Sequence, residues 1–158
     1  MRSKPAKIRH IAEDPIYHSV EINKLVNGIM VDGKKSIAFK QVYAALDLIK
    51  KAEKTEPMEV FNQALQNITP KMEVRSRRVG GAAYQVPMPV RSHRAFSLAV
   101  RWLVGEAHKR PNSEFHSFAA KLAAELIAAS KNEGGAIQKK LTTHKMAEAN
   151  KAFAHFRW

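Results

Sequence analysis

The sequence predicts a mainly α protein, a bundle of about six helices with a protruding two-stranded β-ribbon. Three observations carry this. Apolar residues recur at helical spacing through both halves of the chain. Between residues 72 and 90 the period drops to two around Gly80-Gly81. The 158 residues suffice for one core, so a single domain over 1–158 is expected, with a basic arm at 1–12 and the ribbon at 72–90.

Taken in order, Ile22, Leu25, Val26 and Ile29 form one apolar helical face, which Asp32-Gly33 stops. Phe39, Val42, Tyr43, Leu46 and Ile49 form a second stripe. Thr55, Glu56 and Pro57 open a third helix with Phe61, Ala64, Leu65 and Ile68 inside, closed by Thr69-Pro70. Met72 and Val74 then alternate with Glu73, Arg75 and Arg77. Past the Gly-Gly turn, Tyr84, Val86, Met88 and Val90 alternate with Gln85, Pro87 and Pro89. Prolines at alternate positions leave one edge unpaired, and a lone ribbon is marginal in water, so another molecule is expected to steady it.

Ser92 is expected to cap a fourth helix whose core face is Phe96, Ala99, Val100, Leu103 and Ala107. Its other face carries Arg94, Arg101 and His108, with Arg91 nearby, and Lys109-Arg110-Pro111 closes it. A fifth helix is read through Phe115, Phe118, Ala119, Leu122, Ala123 and Leu126. Asn132, Gly134 and Gly135 break it, and a last helix runs from near Ala136 to about Asn150.

The net charge is +13, from 27 Lys and Arg against 14 Asp and Glu. It lies in three blocks: +4 in residues 1–10 (Arg2, Lys4, Lys7, Arg9), +7 in residues 71–110, and +4 in residues 131–158. Six of the ten arginines fall between Arg75 and Arg101. Arginine favours phosphate forks and base stacking. The partner expected is therefore a polyanion, nucleic acid before an acidic membrane.

Other classes recede. The chain has no cysteine, hence no disulfide, cysteine zinc site or thiol nucleophile. It has no 18-residue apolar run and no secretory signal pattern. Gly28, Gly33 and Lys34 approach a P-loop, but Lys35 stands where Ser or Thr is required and the preceding stretch reads as helix. The histidines show no ligand spacing on a common face, and no nucleophile–base or paired-carboxylate set is evident. No catalytic residue, metal, cofactor or small-molecule substrate is expected.

The candidate contacts are Arg75, Arg77 and Arg78 on the ribbon, with Tyr84 available to stack on a base or sugar. On the fourth helix they are Arg91, Arg94, Arg101 and His108, since no acid on that helix before Glu106 pairs with that face. Trp102 could stack on a nucleotide, though a place at the core margin weighs more. Lys34 and Lys35 could touch phosphate at their turn. Lys139, Lys140 and Lys145 suit either a phosphate surface or an ordinary solvated helix. From residues alone, an RNA-binding structural protein, a DNA-binding regulator and a basic nuclease remain distinct readings. The isolated Glu73 and Glu106 speak against the last.

Val31-Asp-Gly-Lys-Lys-Ser36, Val74-Arg-Ser-Arg-Arg-Val-Gly-Gly81, Tyr84-Gln-Val-Pro87 and Met146-Ala-Glu-Ala-Asn-Lys-Ala-Phe-Ala-His155 resemble the bacterial-type seventh protein of the small ribosomal subunit. The resemblance runs from about Arg9 to Trp158. It implies a helical bundle with an extended ribbon. It also implies a primary binder of the 3′ major domain of small-subunit rRNA that nucleates head assembly. Implied neighbours are the ninth and eleventh small-subunit proteins, exit-site tRNA and the mRNA exit path. By position, the resemblance assigns RNA contacts to Lys34, Lys35, Arg75, Arg77, Arg78, Arg94, Arg101 and Trp102 and to the basic arm. It puts Gly80, Gly81, Tyr84 and Gln85 at a ribbon tip facing exit-site tRNA. With the residue reading, the full set adds Arg91, His108, Lys109, Arg110, Lys139, Lys140 and Lys145. Residues 110–118 and Leu141-Thr-Thr143 depart from the family pattern, and some members continue beyond the position of Trp158. The lack of a transit peptide points to a bacterial, cytoplasmic ribosome rather than an organellar one.

Overall fold

The computed structural model describes residues 10–53 and 55–156. Arg2, Lys4, Lys7 and Arg9 of the basic arm lie outside the described residues. Along the chain run α1 (Val20–Ile29), α2 (Lys35–Glu53), α3 (Pro57–Ile68), β1 (Met72–Val79), β2 (Ala82–Pro89), α4 (Ser92–Lys109), α5 (Phe118–Ser130) and α6 (Gly135–Ala149), then a 3-10 turn at Lys151–Phe156. The fold class is the one the periodicity predicts: mainly α, with one two-stranded antiparallel ribbon.

The apolar stripes become the core. Ile22, Leu25 and Val26 of α1, Val42, Leu46 and Ile49 of α2, and Phe61, Ala64 and Ile68 of α3 are all buried in one cluster. Helix α5 lies at its centre, packed on α2, α3, α4 and α6. Ala119, Ala123 and Ala129 are buried beside Leu122 and Leu126. Small side chains on several sides let neighbouring helices approach its axis closely. Gly28 on α1 serves the same end, since a Cβ there would meet Val100 Cγ1 of α4 at 2.9 Å.

Helix ends follow local chemistry. Asp32 and Gly33 take positive φ (53° and 73°) in the turn after α1, as the Asp-Gly stop requires. Pro57 occupies the first turn of α3, where its missing N–H is harmless. Two expectations are corrected. Ser92 is already helical, so Arg91 occupies the cap position and no side chain caps α4. Phe115 lies ahead of α5, which begins at Phe118 because the Ser117 hydroxyl accepts from Ala120 N–H at 3.2 Å. Phe115 instead sits beneath the Arg110 guanidinium, 5.4 Å from the ring centre.

The ribbon register runs from Met72↔Pro89 to Val79↔Ala82. Gly80 and Gly81 both have positive φ (59° and 88°), the requirement of a two-residue type I′ turn. Val90 N–H closes the base on Lys71 O at 3.0 Å. The chain itself steadies much of the ribbon. Val86 and Pro87 are buried, α6 packs on β1, and the 3-10 turn packs on β2. The far end, Gly80–Ala83, is exposed. The expected instability therefore applies to the tip and not to the base, because the C-terminal elements cover the latter.

Candidate nucleic-acid interface

Directly paired residues of an antiparallel ribbon share a face. Glu73, Arg75 and Arg77 therefore lie on one face with Met88, Val86 and Tyr84, while Ser76 and Arg78 lie on the other with Gln85 and Ala83. The three ribbon arginines divide two to one. Arg78 is exposed and has no partner among the described residues. Arg77 is half-buried across from Tyr84.

Glu73 is the acid that helix spacing alone could not supply. It is only 6% exposed, and it accepts from Arg75 Nε and, at 2.6 and 2.9 Å, from Arg94 Nε on α4. Burial by itself would raise its carboxyl pKa, but the hydrogen bonds from Arg94 and Arg75 outweigh this and hold it below the ordinary value. One carboxylate thus joins the ribbon base to the first turn of α4.

Along α4, Arg91 and Arg101 are exposed without side-chain partners among the described residues. Arg101 shares with Lys24, His93 and Phe96 the lining of a cavity of about 520 Å³ between α1 and α4. Lys24 Nζ lies 4.8 Å from the Phe96 ring centre. Trp102 is half-buried against the core. His108 is exposed but packs its ring 4.6 Å from that of Phe118.

Several candidate cations also serve the fold. Arg110 donates through Nε (2.9 Å) and Nη2 (2.8 Å) to Glu125 Oε2, a carboxylate 2% exposed. Lys109 pairs with Glu106 at 2.6 Å. Lys140 donates to Asn67 O, where the carbonyls of α3 end, a favourable place for a cation. Burial, with Lys71 nearby, lowers the Lys140 pKa. Lys35 covers the Phe39 ring at 5.4 Å, whereas Lys34, Lys139 and Lys145 are exposed.

Tyr84 is not a free stacking platform. Its ring lies 5.3 Å from Phe153 and 5.1 Å from Phe156. Gln85, Gly80 and Gly81 are exposed. Lys24 and Glu73 are not among the contacts that the sequence singles out. Lys24 is the single cation of α1, off the apolar face of Ile22, Leu25, Val26 and Ile29, and the Glu73–Arg94 pair spans 21 residues, beyond any local spacing rule.

No described helix is long and apolar enough to cross a membrane. Among the described residues, no group of three or more His, Asp or Glu side chains is placed to hold a metal ion.

A family model described as ribosomal protein S7p/S5e matches residues 1–151. Small ribosomal subunit protein uS7 of Mycoplasmopsis synoviae is 54% identical over 157 residues, covering 99% of both chains. The protein of the same name from Caldanaerobacter subterraneus is 52% identical over 157 residues, again 99% of each. That of Thermotoga petrophila is 52% identical over 158 residues, the full length of both.

Proposed function

The chain belongs to the ribosomal protein S7p/S5e family, and from that premise we propose that it is a primary binder of the 3′ major domain of small-subunit rRNA, nucleating assembly of the subunit head in a bacterial, cytoplasmic ribosome. It acts as one domain, with residues 1–12 as a basic arm and residues 72–90 as the ribbon. The supporting observation is that the arginine-bearing ribbon and the basic face of α4 are joined through Glu73, which brings Arg75 and Arg94 together, with Arg91 exposed at the start of α4 and Arg78 exposed on the opposite face of the ribbon. Such a surface neutralises phosphates and recognises backbone shape.

In this reading Arg78, Arg91, Arg101, Lys34, Lys139 and Lys145 are freest to meet phosphate. Arg75, Arg77 and Arg94 do so from partly constrained positions. Trp102, His108, Lys109, Arg110 and Lys140 contribute to the fold as well as to the charge. The exposed tip at Gly80, Gly81 and Gln85 faces exit-site tRNA, near the mRNA exit path, with Tyr84 held behind it. The ninth and eleventh small-subunit proteins are its neighbours. The role is structural and needs no catalytic residue or cofactor.

Filter binding to a 3′-domain rRNA transcript tests this reading, with duplex DNA of equal length as competitor. Replacing Arg75, Arg77 and Arg78 together with Ala should weaken binding and flatten its salt dependence, by roughly 0.7–0.9 log unit per log salt for each phosphate no longer neutralised. Unchanged affinity and slope would remove the ribbon from the interface. DNA outcompeting the transcript would overturn the reading as a whole.

A further inference from the structure

An acid within a phosphate-binding surface lowers its attraction for every polyanion, so Glu73 stands out. It is buried at the ribbon base, and its two partners are both candidate RNA contacts from different elements. Both arginines meet it through Nε, and both side chains remain 48% exposed. Neither guanidinium has another partner among the described residues. A guanidinium held at Nε keeps its two terminal nitrogens as an end-on fork, the geometry that takes phosphate oxygens in pairs. Fixing that fork beforehand removes side-chain entropy that binding would otherwise have to overcome.

We propose that Glu73 is a positioning residue, which aims the Arg75 and Arg94 forks together at the backbone of a folded RNA and so favours folded over unstructured RNA. The proposal rests on the reading that this surface binds rRNA. A flexible strand adapts to arginines in any arrangement, whereas a folded RNA presents phosphates at set positions. Glu73 therefore exchanges some general attraction for shape selectivity.

The test compares affinities of the full chain for a 3′-domain rRNA transcript and for poly(U) of equal length, at several salt concentrations. Glu73→Gln removes a negative charge, so poly(U) binding should hold or tighten. Transcript binding should weaken about tenfold, so the ratio of the two affinities falls at least about tenfold. An unchanged ratio overturns the proposal, whichever way both affinities move, because a purely structural strut or a bulk charge effect acts on both RNAs alike. Arg75→Lys with Arg94→Lys is the second variant, and decides the matter should Glu73→Gln fail to fold. It keeps both charges but not the forks, and should lower the ratio similarly; a wild-type ratio in that variant also overturns the proposal. The underlying reading fails separately, if the wild-type chain does not prefer the transcript at all.

Discussion

The hydroxyl of Tyr43, in the middle of α2, donates a 2.6 Å hydrogen bond to Oδ1 of Asp14. Oδ2 of the same carboxylate accepts from the backbone N–H groups of Ile16 and Tyr17, at 3.1 and 2.8 Å. Asp14 is 1% exposed. It fastens the segment that follows the basic arm to the bundle, and Asn23 Nδ2 adds a second tie to Ala12 O at 2.7 Å.

Tyr43→Phe leaves one oxygen of a buried carboxylate without its donor, and should destabilise the fold by about 1–2 kcal/mol. Asp14→Ala removes all three bonds and should cost more. Urea unfolding measures both. Burial and the Asp14 hydrogen bond raise the Tyr43 pKa well above its ordinary value of 10. Between those values the unfolded chain is ionised and the folded one is not, so this stability is present below pH 10 and is lost as pH rises above it. Alkaline unfolding should be less steep in Tyr43→Phe. An equally steep profile would show that the hydroxyl does not ionise late.

His144 on α6 accepts the Lys71 N–H through Nε2 at 3.1 Å, which places any proton of the neutral ring on Nδ1. Burial, then Lys140 and Lys71, lower its pKa from the ordinary 6.5. Below pH 6.5 the unfolded chain takes up a proton that folded His144 resists, so its contribution is complete above that value and is lost on acidification. His144→Gln keeps an acceptor but does not titrate. Its stability should fall less than that of the wild type between about pH 7 and pH 5, as thermal melts across that range will show.

The ribbon turn offers a local test. Gly80 and Gly81 face open space, so what restricts substitution is their positive φ and not volume. Asn tolerates the left-handed region and β-branched residues do not. Gly80→Asn should leave the ribbon intact. Gly81→Val should cost about 1–3 kcal/mol, seen as faster amide exchange in β1 and β2 while exchange in α5 is unchanged.

These relationships mark what the sequence could disclose. The stripe Ile22, Leu25, Val26, Ile29 and the alternation around Gly80-Gly81 became helix and ribbon because burial follows a local period. Phe115 fits the helical period with Phe118, yet the Ser117 cap decided where α5 begins. Asp14–Tyr43 and Glu73–Arg94 join residues 29 and 21 apart on different elements. No period encodes such pairs, and they exist only once the helices have packed. The candidate surface was legible as charge, but the division between arginines that are held and arginines that are free required the ribbon register and the α4 docking.

Helices α1 and α4 meet at Gly28. With Val100 Cγ1 only 2.9 Å from where a Cβ would stand, Gly28→Ala gains helix propensity but forces the two helices apart. The net effect should be a loss of about 1–2 kcal/mol, since overpacking exceeds the propensity gain. Adding Val100→Ala should restore part of that loss. Additive losses in the double variant would place the strain elsewhere.

Glu125 on α5 joins three parts of the fold. Its Oε2 takes the Arg110 fork at the end of α4, and its Oε1 accepts Ala136 N–H at 2.9 Å in the first turn of α6. A carboxylate there also meets the positive end of the α6 dipole. Glu125→Ala strands a largely buried guanidinium and an orphan N–H, and should cost about 3–5 kcal/mol. Arg110→Ala leaves the carboxylate its α6 partner, and should cost less. Arg110→Ala with Glu125→Leu removes both charges and supplies apolar volume, so it should recover much of the stability that Glu125→Ala forfeits. If the double variant is no better than Glu125→Ala alone, the α6 N-terminus is the larger part of what Glu125 supports. RNA affinity of the double variant then reports how far Arg110 acts beyond the fold: a drop matching one phosphate fewer neutralised would place it in the interface, and wild-type affinity would confine it to the bundle.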